Sequence, residues 1–240
     1  MMYALVTGST RGIGKQIALD LLKQGCFVFL NYSSSEKYAN ETRQELLKIS
    51  NNFMIIKADL SASDGINFLI SEIKNKTQSI DYIVLNAAIT KRTDFTLITR
   101  AEWDSVINVN LTAPFFLIQG LNEIISMGGR IVLVGALLGI VPHAISIPYG
   151  VSKAGLHMMA KYLVKVFADR KITVNVIAPG FIETPWQADK APDHRKRIEE
   201  KIAMHRFGTV SEVSSTCLEV IKNGYINGQV IVVDGGYGYK

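Results

Sequence analysis

Tyr149 and Lys153, four residues apart, are the pair in this chain best suited to chemistry. On a helix they stand one turn apart on one face, so a fixed positive charge lies beside a phenol and lowers its pKa. Such a pair can deliver a proton to an oxygen on which negative charge develops. A second constellation is Thr7-Gly8-Ser9-Thr10-Arg11-Gly12-Ile13-Gly14. Glycine lets the backbone turn tightly and approach a pyrophosphate, whose charge suits the N-terminus of the helix that follows. Three residues, rather than the one of the usual dinucleotide fingerprint, separate the first two glycines. A third stretch, Asn31-Tyr32-Ser33-Ser34-Ser35, is neutral where an acidic residue would accept from the adenosine ribose and reject a 2′-phosphate. With Arg11 as a guanidinium partner for that phosphate and serines as donors, NADP(H) is expected over NAD(H).

These residues need elements to hold them. Short β-branched or apolar runs at 2–6, 27–31, 53–57, 81–85, 131–135, 172–177 and 229–233 read as seven strands. Between them, helical patterns fall at 12–25, 38–49, 63–75, 100–126, 149–169, 193–205 and 211–222, with Ser61 or Ser63 as an N-cap and a strained point at Pro114. Strands alternating with helices predict an α/β fold, a Rossmann-type doubly wound parallel sheet covered on both faces. No linker, repeat or low-complexity segment divides residues 1–240, so one dinucleotide-binding domain is expected, with a substrate lid at about 183–206.

Composition narrows the function classes. Apolar residues make up 48% and charged residues 20%, an ordinary globular mix. The net charge of +5 is spread out except around Lys190 to Arg206, and no nucleic-acid motif accompanies it. Cys26 and Cys217 stand alone, without metal-ligand or redox spacing, and are expected as small core residues. No signal peptide and no apolar run of transmembrane length is evident, so a cytoplasmic protein with no metal and no membrane partner is expected.

The motifs together resemble the short-chain dehydrogenase/reductase family over nearly the whole chain. They are the glycine loop, Asp59-Leu60, Asn86-Ala87-Ala88, Asn110-Leu111, Tyr149 with Lys153, Asn175, and Pro179-Gly180 through Thr184. The tail, Gly228 through Gly236, looks most like the 3-oxoacyl-acyl-carrier-protein reductases. The resemblance implies a cofactor site made of Gly8, Thr10, Arg11, Gly12, Ile13, Gly14, Asn31, Tyr32 and Ser33. Asp59 and Leu60 would flank the adenine, Asn86, Ala87 and Ala88 the nicotinamide-side ribose, and Pro179, Gly180, Ile182 and Thr184 the nicotinamide. Tyr149 would be the general acid of carbonyl reduction, and Lys153 would bind the ribose and lower the Tyr149 pKa. Asn110 would kink its helix and hold a water that relays protons to Lys153.

One position departs from the family. A serine usually stands thirteen residues before the tyrosine, and here that residue is Ala136. Loss of one such donor to the developing oxyanion typically costs about 2.7–4 kcal/mol. Three readings stay open: a reductase in which His143, Ser146 or a water replaces the serine, a reductase whose activated substrate needs one donor, or a cofactor-binding paralogue without turnover acting as a sensor or partner subunit. Trp186 and the bases of the lid, with Arg170-Lys171, would meet an acyl thioester or its acidic acyl-carrier protein. The resemblance also implies a homotetramer, built on the apolar faces of the long helix and of the helix after Tyr149.

Overall fold

The computed structural model describes residues 1–142 and 146–239. The seven strands are β1 (Tyr3–Val6), β2 (Phe27–Tyr32), β3 (Phe53–Lys57), β4 (Ile80–Leu85), β5 (Ile125–Val134), β6 (Thr173–Pro179) and β7 (Val230–Val233). All pair in parallel in the order β3-β2-β1-β4-β5-β6-β7. Helices α1 (Gly12–Lys23), α2 (Glu36–Leu47) and α3 (Ser63–Lys76) follow the first three strands. Helices α4 (Arg100–Ile107) and α5 (Ala113–Leu121) precede β5, α6 (Ile147–Val166) follows it, and α7 (Pro192–Lys201) and α8 (Val210–Lys222) lie between β6 and β7.

Alternation along the strands divides the core in two, because successive side chains point to opposite faces. Leu5, Phe29, Ile83, Ile131, Leu133, Val174 and Val176 pack against α3, α5 and α6 through Leu69, Leu117 and Leu156. Their neighbours Ala4, Val6, Val28, Leu30, Val84, Val132 and Ile177 pack against α1, α2 and α8 through Ile17, Leu46 and Val213. The chain is therefore wound on both faces of a Rossmann-type sheet. Cys26 and Cys217 are both free and buried in the second core. A smaller cluster of Ile198, Ile202 and Phe207, with Phe181 and Tyr237 against it, fastens α7 to the end of β6.

Several boundaries differ from those read in the sequence. The 100–126 stretch is not one helix: a π-turn at Asn108–Thr112 separates α4 from α5, and a 3-10 turn at Asn122–Ile124 leads into β5. In the π-turn the Ala113 N–H donates to Asn108 O, five residues back, and Pro114 has no N–H to offer Asn110 O. β5 starts at Ile125, six residues earlier than expected, with a register irregularity against β4. The α3 N-cap is Ala62, not Ser61 or Ser63, and it gives no side-chain cap. Among the described residues no helix is long and apolar enough to cross a membrane.

Candidate active site

The order of strands reverses direction at β1 and β4, the place where doubly wound sheets open a crevice beyond their carboxyl ends. The glycine loop leaves β1 there and Asn86-Ala87 leaves β4, and the two are locked together. Thr7 Oγ1 accepts from the N–H groups of Asn86 and Ala87, each at 3.0 Å, and Asn86 Nδ2 donates to the carbonyls of Thr7 and Gly8. Gly8 and Gly12 have φ of 59° and 57°, the left-handed region. A Cβ on Gly8 would lie 2.8 Å from Ala87 Cα, and one on Gly14 would lie 2.6 Å from Gly8 O. Only glycine allows this approach.

The residues present fit a dinucleotide phosphate. Ser35, Thr99 and Thr209 cap α2, α4 and α8 with their hydroxyls, whereas α1 has no side-chain cap and no acidic residue in its first turn. Its free N–H groups face the crevice with the positive end of the helix dipole. Across the crevice, Thr184 comes close enough that a Cβ on Gly12 would sit 3.3 Å from its Cγ2. Arg11 is exposed and stacks 5.4 Å over the Tyr38 ring.

Some expected ligand residues have other work. Asn31 is 2% exposed; its Oδ1 accepts from Gly8 N–H and its Nδ2 donates to Ala58 O, so its side chain braces the glycine loop from behind. Leu60 lies in the core. Asp59 is exposed and accepts from the Ser61 N–H at 2.9 Å. Tyr32 Oη donates to Glu36, which also receives Lys57 at 2.7 Å. Thr10, Ile13, Ser33, Ala88, Pro179, Gly180 and Ile182 line or adjoin the same strand ends, and the Gly180 N–H donates to Val233 O at 2.9 Å.

Tyr149 and Lys153 lie on α6 as the spacing predicts, but their electrostatics differ from the expectation. Lys153 is 2% exposed; Nζ lies 5.6 Å from the Tyr149 ring centroid and donates to Val134 O at 2.6 Å. Burial pushes the lysine down to about 7 and the phenol up from its usual value. Burial therefore raises the Tyr149 phenol, where proximity to Lys153 was expected to lower it. The edge of the Trp186 indole meets the Tyr149 ring, with centroids 6.1 Å apart at 75°.

Asn110 is fully buried in the π-turn. Its Oδ1 accepts from Ile89 N–H, and its Nδ2 donates to Ile89 O and to Ser152 Oγ at 3.1 Å. Ser152 Oγ in turn donates to Tyr149 O at 2.7 Å. One chain of contacts therefore ties the loop after β4 to the residue that carries the phenol. The side chain of Asn110 is thus a clamp, and Pro114 leaves its main-chain carbonyl without an i+4 helical donor.

Two residues of this centre carry no signal in the sequence. Ser152 is one. The other is His157, 7% exposed, whose Nε2 accepts from the Ala136 N–H at 3.5 Å. Its ring fills the space left by two glycines: a Cβ on Gly135 would fall 2.8 Å from His157 Cδ2, and one on Gly139 would fall 2.7 Å from Cε1. Burial, with Lys153 and Lys161 nearby, brings the imidazole down to about 4, so it is neutral at pH 7. No hydroxyl stands at Ala136, which is 6% exposed. Ser146 is buried at the N-cap of α6 with φ 79°, and His143 lies outside the described residues.

Comparison with known proteins agrees with this geometry. The family model described as enoyl-(acyl carrier protein) reductase matches residues 8–238. The 3-oxoacyl-acyl-carrier-protein reductase of Aquifex aeolicus is 36% identical over 97% of this chain and 96% of its own. A Pseudomonas aeruginosa RhlG/NADP active-site complex superposes with a TM-score of 0.91 at 29% identity, covering 99% of this chain and 96% of that one. A short-chain dehydrogenase/reductase from Serratia marcescens shares the fold, with a TM-score of 0.93 at 24% identity over 99% and 98% of the two chains. A paired-glycine crevice, a helix that carries Tyr149 and the buried Lys153, and full-length likeness to these reductases thus converge: the chain belongs to the short-chain dehydrogenase/reductase family, among relatives of the 3-oxoacyl-acyl-carrier-protein reductases.

Proposed function

We propose that the protein is an NADP(H)-dependent reductase of a ketone, with a 3-oxoacyl thioester as the substrate class. The carrying observation is the continuous set Ile89–Asn110–Ser152–Tyr149, with Lys153 anchored beneath the same helix turn. A pure cofactor binder has no use for a positioned phenol. A nicotinamide held in this crevice would supply hydride to the carbonyl carbon. Tyr149 Oη, a phenol and so protonated at neutral pH, gives its proton to the carbonyl oxygen as charge develops there. Lys153 holds the ribose beside it and, with a water on the Asn110 carbonyl, restores the proton to Tyr149. Arg11 and Ser33 receive the 2′-phosphate, and the similarity to an NADP complex supports that choice. The functional unit is a single domain acting as a homotetramer, with residues 183–206 as lid.

Ala136 favours a second reading, a paralogue that binds cofactor without turnover. NADPH oxidation with acetoacetyl thioester separates the two. Wild type is expected to turn over, and Tyr149→Phe to lose at least a hundredfold in kcat. A rate equally negligible in both, with NADPH still bound, sinks the reductase reading. Ala136→Ser is expected to raise kcat if the oxyanion lacks a donor; no change means another group already serves.

A further inference from the structure

Beside Trp186, whose indole also meets the Tyr149 ring, lies a cavity of about 340 Å³ lined by Thr90, Arg92, Trp186, Asp189, Lys190 and His194. It is bounded by the loop after β4 and by the segment that leads into α7. Two bases of the same segment are matched with acids. Arg195 is held by Glu183 and Glu199, and Arg206 is held by Glu212. Arg92, Lys190 and His194 differ: among the described residues no carboxylate lies within ion-pair distance of any of them, although Asp189 shares the lining. Lys190 Nζ lies over the Phe181 ring, 5.9 Å from its centroid. Partial burial and the Arg92 charge lower Lys190, and desolvation, Lys190, Arg197 and Arg92 together lower His194. Arg92 and Lys190 crowd one another there, with Asp189 as the carboxylate in the lining, and an incoming anion would relieve their repulsion.

We propose that Arg92, Lys190 and His194 form a subsite for an anionic group on the tail of the carbonyl substrate. The inference rests on the reductase reading for the placement of the carbonyl at Tyr149. The anion is a phosphate ester or a carboxylate, carried on an arm long enough to pass the Trp186 ring. The volume holds the anion and several atoms of that arm. A guanidinium with a neighbouring ammonium suits an oxyanion with two or three oxygens, and Thr90 adds a hydroxyl. Specificity would then come from the tail, which compensates in binding for the donor absent at Ala136.

The test compares the acetoacetyl thioesters of 4′-phosphopantetheine and of pantetheine, and those of N-succinylcysteamine and N-acetylcysteamine. Wild type is expected to prefer the phosphorylated or the succinylated member of its pair at least tenfold in kcat/KM, through KM. Whichever pair shows the preference identifies the anion. In Arg92→Gln and in Lys190→Gln the ratio is expected to fall towards one. Equal kcat/KM within both pairs, or a ratio untouched by either substitution, overturns the subsite. Calorimetry with 4′-phosphopantetheine and N-succinylcysteamine, against pantetheine, on the NADP-loaded protein gives a readout free of turnover. Anion-dependent binding that Arg92→Gln weakens tenfold, in a protein that reduces no ketone, keeps the subsite and discards the reductase reading. Turnover blind to the anion does the reverse.

Discussion

Val134 O and Ala136 N, on either side of Gly135, are both held by α6, the first by Lys153 and the second by His157. A methyl on Gly135 would lie 2.6 Å from Val176 Cγ1 as well as against the imidazole. Gly135→Ala is therefore expected to cost about 1–3 kcal/mol in urea unfolding. In a His157→Ala background the cost should shrink, because both changes act on one volume; equal losses would count against this packing. His157 also sets a pH dependence. Its pKa falls from 6.5 to about 4 on folding, so between those values the unfolded chain binds a proton that the folded chain lacks. Stability contributed here is present above 6.5 and is lost as pH falls towards 4. His157→Gln is expected to flatten that part of the curve of unfolding midpoint against pH. Neither His157 nor Ser152 was legible in the sequence, since their partners stand 21 and 42 residues away and no local pattern announces them. Tyr149 and Lys153 were legible from their spacing, and the missing hydroxyl at Ala136 only from the family resemblance.

The interrupted helix before β5 shows how an irregular element serves a site. Pro114 denies Asn110 its i+4 donor, the π-turn takes up the slack, and the carboxamide is aimed at the Ile89 backbone. Asn110→Ala removes that clamp and leaves buried groups unpaired, at an expected cost of about 2–4 kcal/mol. Amide exchange at Ile89 should accelerate well beyond the global loss; an unchanged protection factor relative to the core would refute the clamp. The capping box of α8 offers a control. Thr209 Oγ1 accepts from the Glu212 N–H while Glu212 accepts from the Thr209 N–H, so Thr209→Ala should cost about 1 kcal/mol without touching activity. The strands were readable because β-branched runs bounded by glycine leave little choice. The π-turn was not, as helical periodicity continues on both sides of it, and the early start of β5 depends on pairing with β4 rather than on its own composition.

At the scale of the molecule, two cores close the sheet and still leave a broad apolar surface on α5 and α6. Phe115, Phe116, Val151, Met158, Tyr162 and Val166 are between 41% and 71% exposed. Such a surface is expected to be covered by further copies of the chain. Phe116→Glu with Tyr162→Glu should shift the mass seen in light scattering to a smaller species, and an unchanged mass would rule out this face. The segment 183–206, too, has a bearing on the whole. The chain has two tryptophans, Trp103 on α4 and Trp186 edge-on to Tyr149. In a Trp103→Phe background the remaining indole becomes a fluorescent probe seated at the mouth of the site. Any ligand that parts it from the phenol changes its emission, so occupancy can be followed optically, in real time and without catalysis.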